Sequence, residues 1–201
     1  MPLIIDTLTV EGNVTATNYL NLPYEYERSS TTYTNFLPIV HGLVNQIVSQ
    51  NLMYWIPIFI QRDLTISEVA IFVGTASAGG SVVGLYNSNG TGLPNNLLFQ
   101  TTAFNNGVTS GQLYTLPTPQ TVNAGLYYIG YNSSSAVTLR SAAATSYINI
   151  FGLGNANDTP HSRISKTSSY TGTLPATFAG VAGIATKSFS VNPNIIFKIT
   201  Y

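Results

Sequence analysis

The chain contains no cysteine and very little charge. Charged residues make up 7% of its 201 residues, and seven Lys and Arg balance seven Asp and Glu. Without cysteine there is neither a disulfide framework nor a thiolate metal site. Nucleic-acid binding relies on clustered basic side chains that neutralise phosphates. The basic residues here are scattered along the chain, so we expect no nucleic-acid partner.

Long hydrophobic runs are also missing. The longest apolar segment, residues 52–60, has nine residues and contains Pro57, whereas a membrane-spanning helix needs about 20. The opening residues MPLIID lack a basic start, and Asp6 interrupts their apolar run, so we expect no secretion signal. These features predict a chain without membrane insertion that is made in a cytoplasm.

Catalytic and metal-binding residue types are few. A glycosidase-type mechanism needs two carboxylates that face each other across a substrate, and most of the seven carboxylates lie in the N-terminal part or at expected strand ends. The run Asp158-Thr159-Pro160-His161-Ser162 contains the residue types of a catalytic triad. Neighbouring loop residues rarely converge on one another, and the chain has no Gly-x-Ser-x-Gly elbow. We therefore predict a protein that is not an enzyme and that binds no cofactor or metal.

Short apolar segments separated by Asn, Gly, Ser and Pro clusters dominate the rest of the chain, a pattern typical of strands and tight turns. The predicted strands are residues 52–60, 64–73, 82–86, 97–104, 112–116, 126–131, 137–140, 147–151 and 195–201. Residues 36–49 fit either a helix or a strand, and residues 154–173 form a long polar excursion. The fold class that follows is all-β: an antiparallel, jelly-roll-like β-sandwich with an extended N-terminal strand or arm.

The N-terminal residues form a segment of their own. Apolar side chains alternate with polar ones through residues 7–17, so Leu8, Val10 and Val14 share one face. A lone strand cannot bury such a face. It must lie on its own sandwich or on neighbouring copies, and both possibilities remain open. We divide the chain into an anchoring or oligomerisation arm (1–22), a polar connector (23–35) and a sandwich domain (36–201).

Aromatic residues are the best candidates for ligand contact, since ring faces pack against the apolar patches of sugars. Trp55, Tyr86 and Tyr128 lie in predicted strands and are expected in the core. Tyr170 and His161 lie in the polar excursion and are the candidate ligand contacts.

The order of several motifs resembles that of small β-sandwich modules in virion proteins of tailed bacteriophages, commonly tail-fibre-like proteins. The motifs are Met53-Tyr54-Trp55-Ile56-Pro57, Ala78-Gly79-Gly80, Gly84-Leu85-Tyr86-Asn87, Gly92-Leu93-Pro94 and Ala124-Gly125-Leu126-Tyr127-Tyr128, and LTVEGNVTATNYLNLP resembles the lead-in of a fibre. The likeness covers roughly residues 8–22 and 52–140, and the pattern is not followed after Arg140.

This resemblance implies a structural or adhesive virion component that is exposed on the particle exterior and assembles as a homotrimer. The expected partners are copies of the same chain, other virion proteins of the tail, neck or capsid, and a host-surface glycan. One interpretation is a fibre-type or receptor-binding appendage on the tail or neck. The other is a capsid decoration protein that binds the major capsid protein lattice.

Overall fold

A computed structural model describes residues 31–34, 43–142, 163–183, 186–188 and 192–200. Within these ranges the chain forms strands and no helix, and two antiparallel sheets pack against each other. The predicted β-sandwich is therefore confirmed. The predicted arm (1–22) lies outside the described residues.

The first sheet has seven strands, in the order β1-β14-β4-β10-β13, with β2 paired to β10 and β8 paired to β4. Its strands are β1 (Thr31–Thr34), β2 (Leu43–Val48), β4 (Leu64–Thr75), β8 (Gly111–Val122), β10 (Val137–Ala142), β13 (Asn192–Pro193) and β14 (Ile196–Thr200). The C-terminal strand lies between β1 and β4, inside the sheet, as its alternating apolar pattern predicts.

The second sheet also has seven strands, in the order β12-β11-β3-β9-β5-β6, with β7 paired to β5. Its strands are β3 (Leu52–Ile60), β5 (Gly80–Ser88), β6 (Pro94–Gln100), β7 (Phe104–Asn105), β9 (Gly125–Ser133), β11 (Arg163–Thr167) and β12 (Thr186–Ser188). The predicted strand 52–60 has the observed bounds, and the strands predicted at 82–86 and 126–131 extend further at both ends.

The structure corrects two predictions and resolves one ambiguity. Residues 163–167 of the predicted polar excursion form β11. Their side chains gain buried contacts there: the Arg163 guanidinium lies 4.0 Å from the Tyr54 ring centre, and Ile164 is buried. The strand predicted at 97–104 is interrupted after Gln100. The ambiguous segment 36–49 is extended where it is described, at Leu43–Val48. Thr31–Thr34, within the range assigned to the connector, forms β1 and pairs with β14.

The main core lies between the two sheets. On β4 the inward side chains Val69, Ile71 and Val73 alternate with outward ones, as expected for a strand with one buried face. They meet side chains of the second sheet such as Ile56 and Leu85, which are also buried. Burial of this face fixes the register of the sandwich.

A buried polar network joins β5 to β9 and to Asn106, which follows β7. The Ser81 hydroxyl lies 2.8 Å from Oδ1 of Asn106 and 2.7 Å from the Tyr131 hydroxyl. The Asn106 amide in turn donates to the hydroxyls of Ser133 and Ser135 at 3.0 and 3.1 Å. Buried polar groups need such partners, so the packing of the sandwich itself accounts for these buried hydroxyl and amide side chains.

Candidate functional site

The central part of the second sheet is buried on both faces, a feature that the sequence patterns did not predict. Along β3, residues 53–58 are all buried. The even-numbered side chains face the main core, and Met53 and Trp55 face the opposite side. There they join Tyr86 and Tyr128 in a second hydrophobic cluster. The sandwich therefore has a second core on the outside of its second sheet.

Residues 168–183, here called the cover segment, close this second core. Leu174 and Val181 are buried, and Tyr170 and Phe178 are partly buried against the same cluster. The Phe178 ring meets Trp55 edge-on, with 4.9 Å between ring centres. Such edge contacts between aromatic rings add to the stabilisation from burial. Residues 168–173 belong to the predicted polar excursion and residues 174–183 to no predicted element, and together they form a third layer of the molecule.

Two glycines make room for the aromatic side chains of this layer. Trp55, Gly130 and Gly84 lie in one row across the adjacent strands β3, β9 and β5. A Cβ atom at Gly130 would lie 2.4 Å from Cε2 of Tyr86 and 2.9 Å from Cε of Met53. A Cβ atom at Gly84 would lie 2.7 Å from both the Phe99 carbonyl oxygen and Cδ1 of Leu174. Because Gly84 and Gly130 have no side chains, the Tyr86 ring and the cover segment can approach the sheet closely.

Backbone hydrogen bonds fasten the cover segment to the edge strand β6. The Leu97 amide donates to the Ala176 carbonyl, and the Phe178 amide donates to the Asn95 carbonyl, both at 2.9 Å. The Tyr86 hydroxyl donates to the Pro175 carbonyl at 2.7 Å. These bonds satisfy backbone groups of both segments, so the cover segment acts as an irregular continuation of the sheet.

Lys166 holds the C-terminal turn of the cover segment. Its Nζ donates to the carbonyl oxygens of Val181 at 3.0 Å and Phe178 at 3.3 Å, and it lies 4.0 Å from the centre of the Phe178 ring. The residue is only 8% exposed. A buried ammonium group needs such partners, so the two carbonyls and the ring face fix the position of both the lysine and the turn.

Replacing Lys166 with methionine should loosen the cover segment while preserving the packing of the side-chain stem. Hydrogen bonds to charged groups contribute roughly 1.5–3 kcal/mol, so we expect a comparable drop in the free energy of unfolding. Thermolysin should also cleave faster within residues 168–183. Lys166→Arg, which keeps the charge, serves as the control and should recover part of the loss. Equal stability of the methionine variant and the parent would contradict this role.

Buried tyrosines in this region keep their phenol protons at high pH. Burial raises the pKa of Tyr128 to about 12 and that of Tyr86 above its ordinary value. The Tyr128 hydroxyl donates to the Gly92 carbonyl, which ties the β5–β6 turn to β9. Because the folded state binds these protons more tightly than the unfolded chain, their stabilising effect is complete below pH 10 and is lost as the pH rises.

The variant Tyr128→Phe tests this linkage. We expect it to be about 1 kcal/mol less stable at pH 7, because one hydrogen bond is lost. Between pH 10 and 12 the stability of the variant should fall less steeply than that of the parent. The two slopes should differ by up to about 1.4 kcal/mol per pH unit. Urea unfolding at several pH values measures both slopes. Parallel slopes would show that Tyr128 does not contribute to the alkaline loss.

A surface groove runs along the cover segment and has a volume of about 350 Å³. The buried side chains of Leu174 and Val181 contribute apolar atoms to it. The other lining residues are Thr167, Ser168, Ser169, Thr171, Thr173, Pro175, Gly180 and Ala182. Among the described residues, the groove lining therefore combines hydroxyl groups with apolar surface and includes no charged side chain. Hydroxyl groups beside apolar surface are the chemistry that suits a neutral ligand rich in hydroxyls.

The structure locates one of the two predicted ligand contacts. Tyr170 is partly buried against the second core, and its amide donates to Oδ1 of Asn51 at 3.2 Å. Burial raises its pKa. It belongs to the cover segment but is not among the groove-lining residues. His161 and the arm residues Leu8, Val10 and Val14 lie outside the described residues. Trp55, Tyr86 and Tyr128 are fully buried, as predicted.

The described ranges contain no group of three or more His, Cys, Asp or Glu that could hold a metal ion. They also contain no helix long and apolar enough to cross a membrane. No known protein family matches the chain, and no curated protein matches it.

Proposed function

We propose that this chain is a non-enzymatic virion protein of a tailed phage, displayed on the particle exterior as a homotrimeric fibre-type or receptor-binding appendage of the tail or neck. In this role the sandwich is a rigid support and the cover segment carries the contact surface. The low charge of the chain fits a structural component better than a nucleic-acid or ion-binding protein.

The observation that carries this proposal is the position of the resemblance motifs in the fold. The Tyr-Trp-Ile-Pro strand is β3, the Ala-Gly-Gly motif precedes and enters β5, and the Leu-Pro motif enters β6. The Ala-Gly-Leu-Tyr-Tyr motif enters β9, which pairs with both β3 and β5. Motifs that are separated in sequence therefore lie on adjacent strands of one sheet, as expected if they describe one module.

The groove suggests how such a module would contact a host. Sugars present hydroxyl groups around apolar C–H patches, and the groove offers Ser and Thr hydroxyls beside Leu174 and Val181. A neutral lining avoids the cost of removing water from charged groups when a neutral glycan binds. The expected ligand is therefore an uncharged glycan of the host surface.

A glycan screen with a blocked groove tests this role. Ala182 is exposed and lines the groove, so Ala182→Trp should fill it and reduce glycan binding at least tenfold. Ala176→Trp is the matched control, because Ala176 is exposed on the same segment but is not a lining residue. Uniformly blank binding by the assembled parent protein would contradict the receptor role, and equal binding by the two variants would contradict the groove as the binding site.

The first sheet favours capsid decoration as a second candidate. Its outer face exposes Phe72 and Leu113, and an exposed apolar sheet surface is suited to a protein partner. In that case the partner is the major capsid protein lattice, and no glycan is required.

A further inference from the structure

The fold places the two Asn-Gly pairs of the chain in opposite environments. These pairs are Asn89-Gly90 and Asn106-Gly107. Asn89 is exposed in the turn between β5 and β6, whereas Asn106 is fully buried next to β7. Because glycine has no side chain, the backbone nitrogen that follows each Asn is sterically open to the carboxamide carbon. Any difference in reactivity between the two pairs therefore comes from the structure around them.

The reaction that suits such a pair is loss of the side-chain amide. The backbone nitrogen of the glycine attacks Cγ of the asparagine, so a bond from that nitrogen to Cγ forms and the bond from Cγ to Nδ2 breaks. The amide group leaves as ammonia and takes the proton of the backbone nitrogen. Water then opens the five-membered imide ring and leaves aspartate or iso-aspartate. Water is the co-reactant, so the reaction needs contact with solvent.

The turn around Asn89 favours this attack. Oδ1 of Asn89 accepts hydrogen bonds from the Thr91 amide at 2.9 Å, the Thr91 hydroxyl at 2.8 Å and the Leu93 amide at 3.1 Å. Negative charge develops on this oxygen when Cγ is attacked, and donors placed around it stabilise that charge. Gly90 has a φ of +82°, and a Cβ atom there would meet nothing within 4 Å. The turn therefore combines an activated carboxamide with an uncrowded glycine.

The network around Asn106 opposes the same attack. The Ser81 hydroxyl donates to Oδ1 of Asn106 at 2.8 Å, and Nδ2 donates to two serine hydroxyls at 3.0 and 3.1 Å. The carboxamide is thus held at both ends, including the group that would leave. The Gly107 amide, which would be the attacking group, donates to Oδ1 of Asn105 at 2.8 Å. Burial also keeps water away from Asn106.

We propose that Asn89-Gly90 is a site of spontaneous deamidation in the folded protein and that the fold protects Asn106-Gly107. Each event places a carboxylate in a chain whose formal net charge is zero. The aspartate product keeps acceptor oxygens for the same three donors. The iso-aspartate product adds a carbon atom to the main chain, which disturbs the bond from the Asn89 amide to the Leu93 carbonyl at 2.9 Å. This modification is independent of the proposed phage role.

Peptide mapping by mass spectrometry tests the site directly. The folded full-length chain is incubated at mildly alkaline pH, and amide loss is followed at both pairs. We expect loss at Asn89 to be at least tenfold faster than at Asn106. In urea concentrated enough to unfold the chain, the two rates should come within about threefold of each other. Equal rates in the folded chain, or an Asn106 that stays slow in urea, would overturn the proposal.

Variants of Thr91 test the hydrogen bonds at Oδ1. Thr91→Val removes one of the three donors and should slow deamidation of Asn89 about threefold, whereas Thr91→Ser keeps the hydroxyl and should retain the parent rate. An unchanged or faster rate in Thr91→Val would overturn the activation by the turn.

The product has its own standard in the variant Asn89→Asp. On anion exchange, the aspartate form that appears in the folded parent should elute with Asn89→Asp. Asn89→Asp should also melt at the temperature of the parent, because its carboxylate accepts the same hydrogen bonds. Asn106→Asp is the matched comparison and should melt lower, because it loses the two hydrogen bonds from Nδ2 to serine. Elution with Asn106→Asp instead would contradict the assignment.

Discussion

Replacing Trp55 with alanine should lower the free energy of unfolding by about 3–5 kcal/mol, the range typical of a fully buried large aromatic side chain. Trp55 is completely buried, and its ring contacts Tyr86 and Phe178 edge-on at 6.1 and 4.9 Å between ring centres. Its loss removes the centre of the second core. Because Phe178 belongs to the cover segment, we also expect residues 168–183 to exchange their amide hydrogens faster.

Phe59→Ala is the matched control for this prediction. Phe59 lies on the same face of the same strand as Trp55, but it is 64% exposed. Exposed positions usually change stability by no more than about 0.5 kcal/mol, so we expect a small effect. Urea unfolding of both variants makes the comparison. Similar losses for the two would show that the second core contributes little to stability.

The second large effect is expected at Gly130. A Cβ atom there would lie 2.4 Å from the Tyr86 ring and 2.9 Å from the Met53 side chain, closer than any normal contact. Tyr86 has little freedom to move, because its hydroxyl is bonded to the Pro175 carbonyl. Gly130→Ala should therefore destabilise the protein by about 1–3 kcal/mol, as overpacking typically does.

Gly111→Ala is the matched control for Gly130→Ala. Gly111 is also a strand glycine, but a Cβ atom there would meet the Phe72 ring at an ordinary 3.5 Å. We expect stability within about 0.5 kcal/mol of the parent. Thermal unfolding of the two variants distinguishes them, and equal melting temperatures would contradict the crowding at Gly130.

The sandwich could be predicted because its strands carry local signals. The apolar run at 52–60 and the alternation at 195–201 are visible in the sequence and became β3 and β14. Residues 52–60 also carry a second signal, because a strand with apolar residues at every position is typically buried on both faces. This continuous apolar pattern indicates a further layer beyond the second sheet, which the structure shows as the second core.

The cover segment and its groove could not be predicted in the same way. Leu174, Phe178 and Val181 are single apolar residues among Ser, Thr, Gly and Ala, with no period that indicates a strand or a helix. Their burial depends on the aromatic surface of the second sheet. Likewise, the pairing of Gly84 with Gly130 depends on the register of β5 and β9, and sequence patterns alone do not give the register of distant strands.

The position of this chain in an intact phage particle tests the central functional claim most directly. Cryo-electron microscopy of purified virions, with the sandwich fitted into the density, gives that position. The appendage proposal predicts threefold-symmetric density for the chain at the tail or neck, with the cover segments facing outward. Density on the capsid lattice, or absence of the chain from the particle, would contradict it.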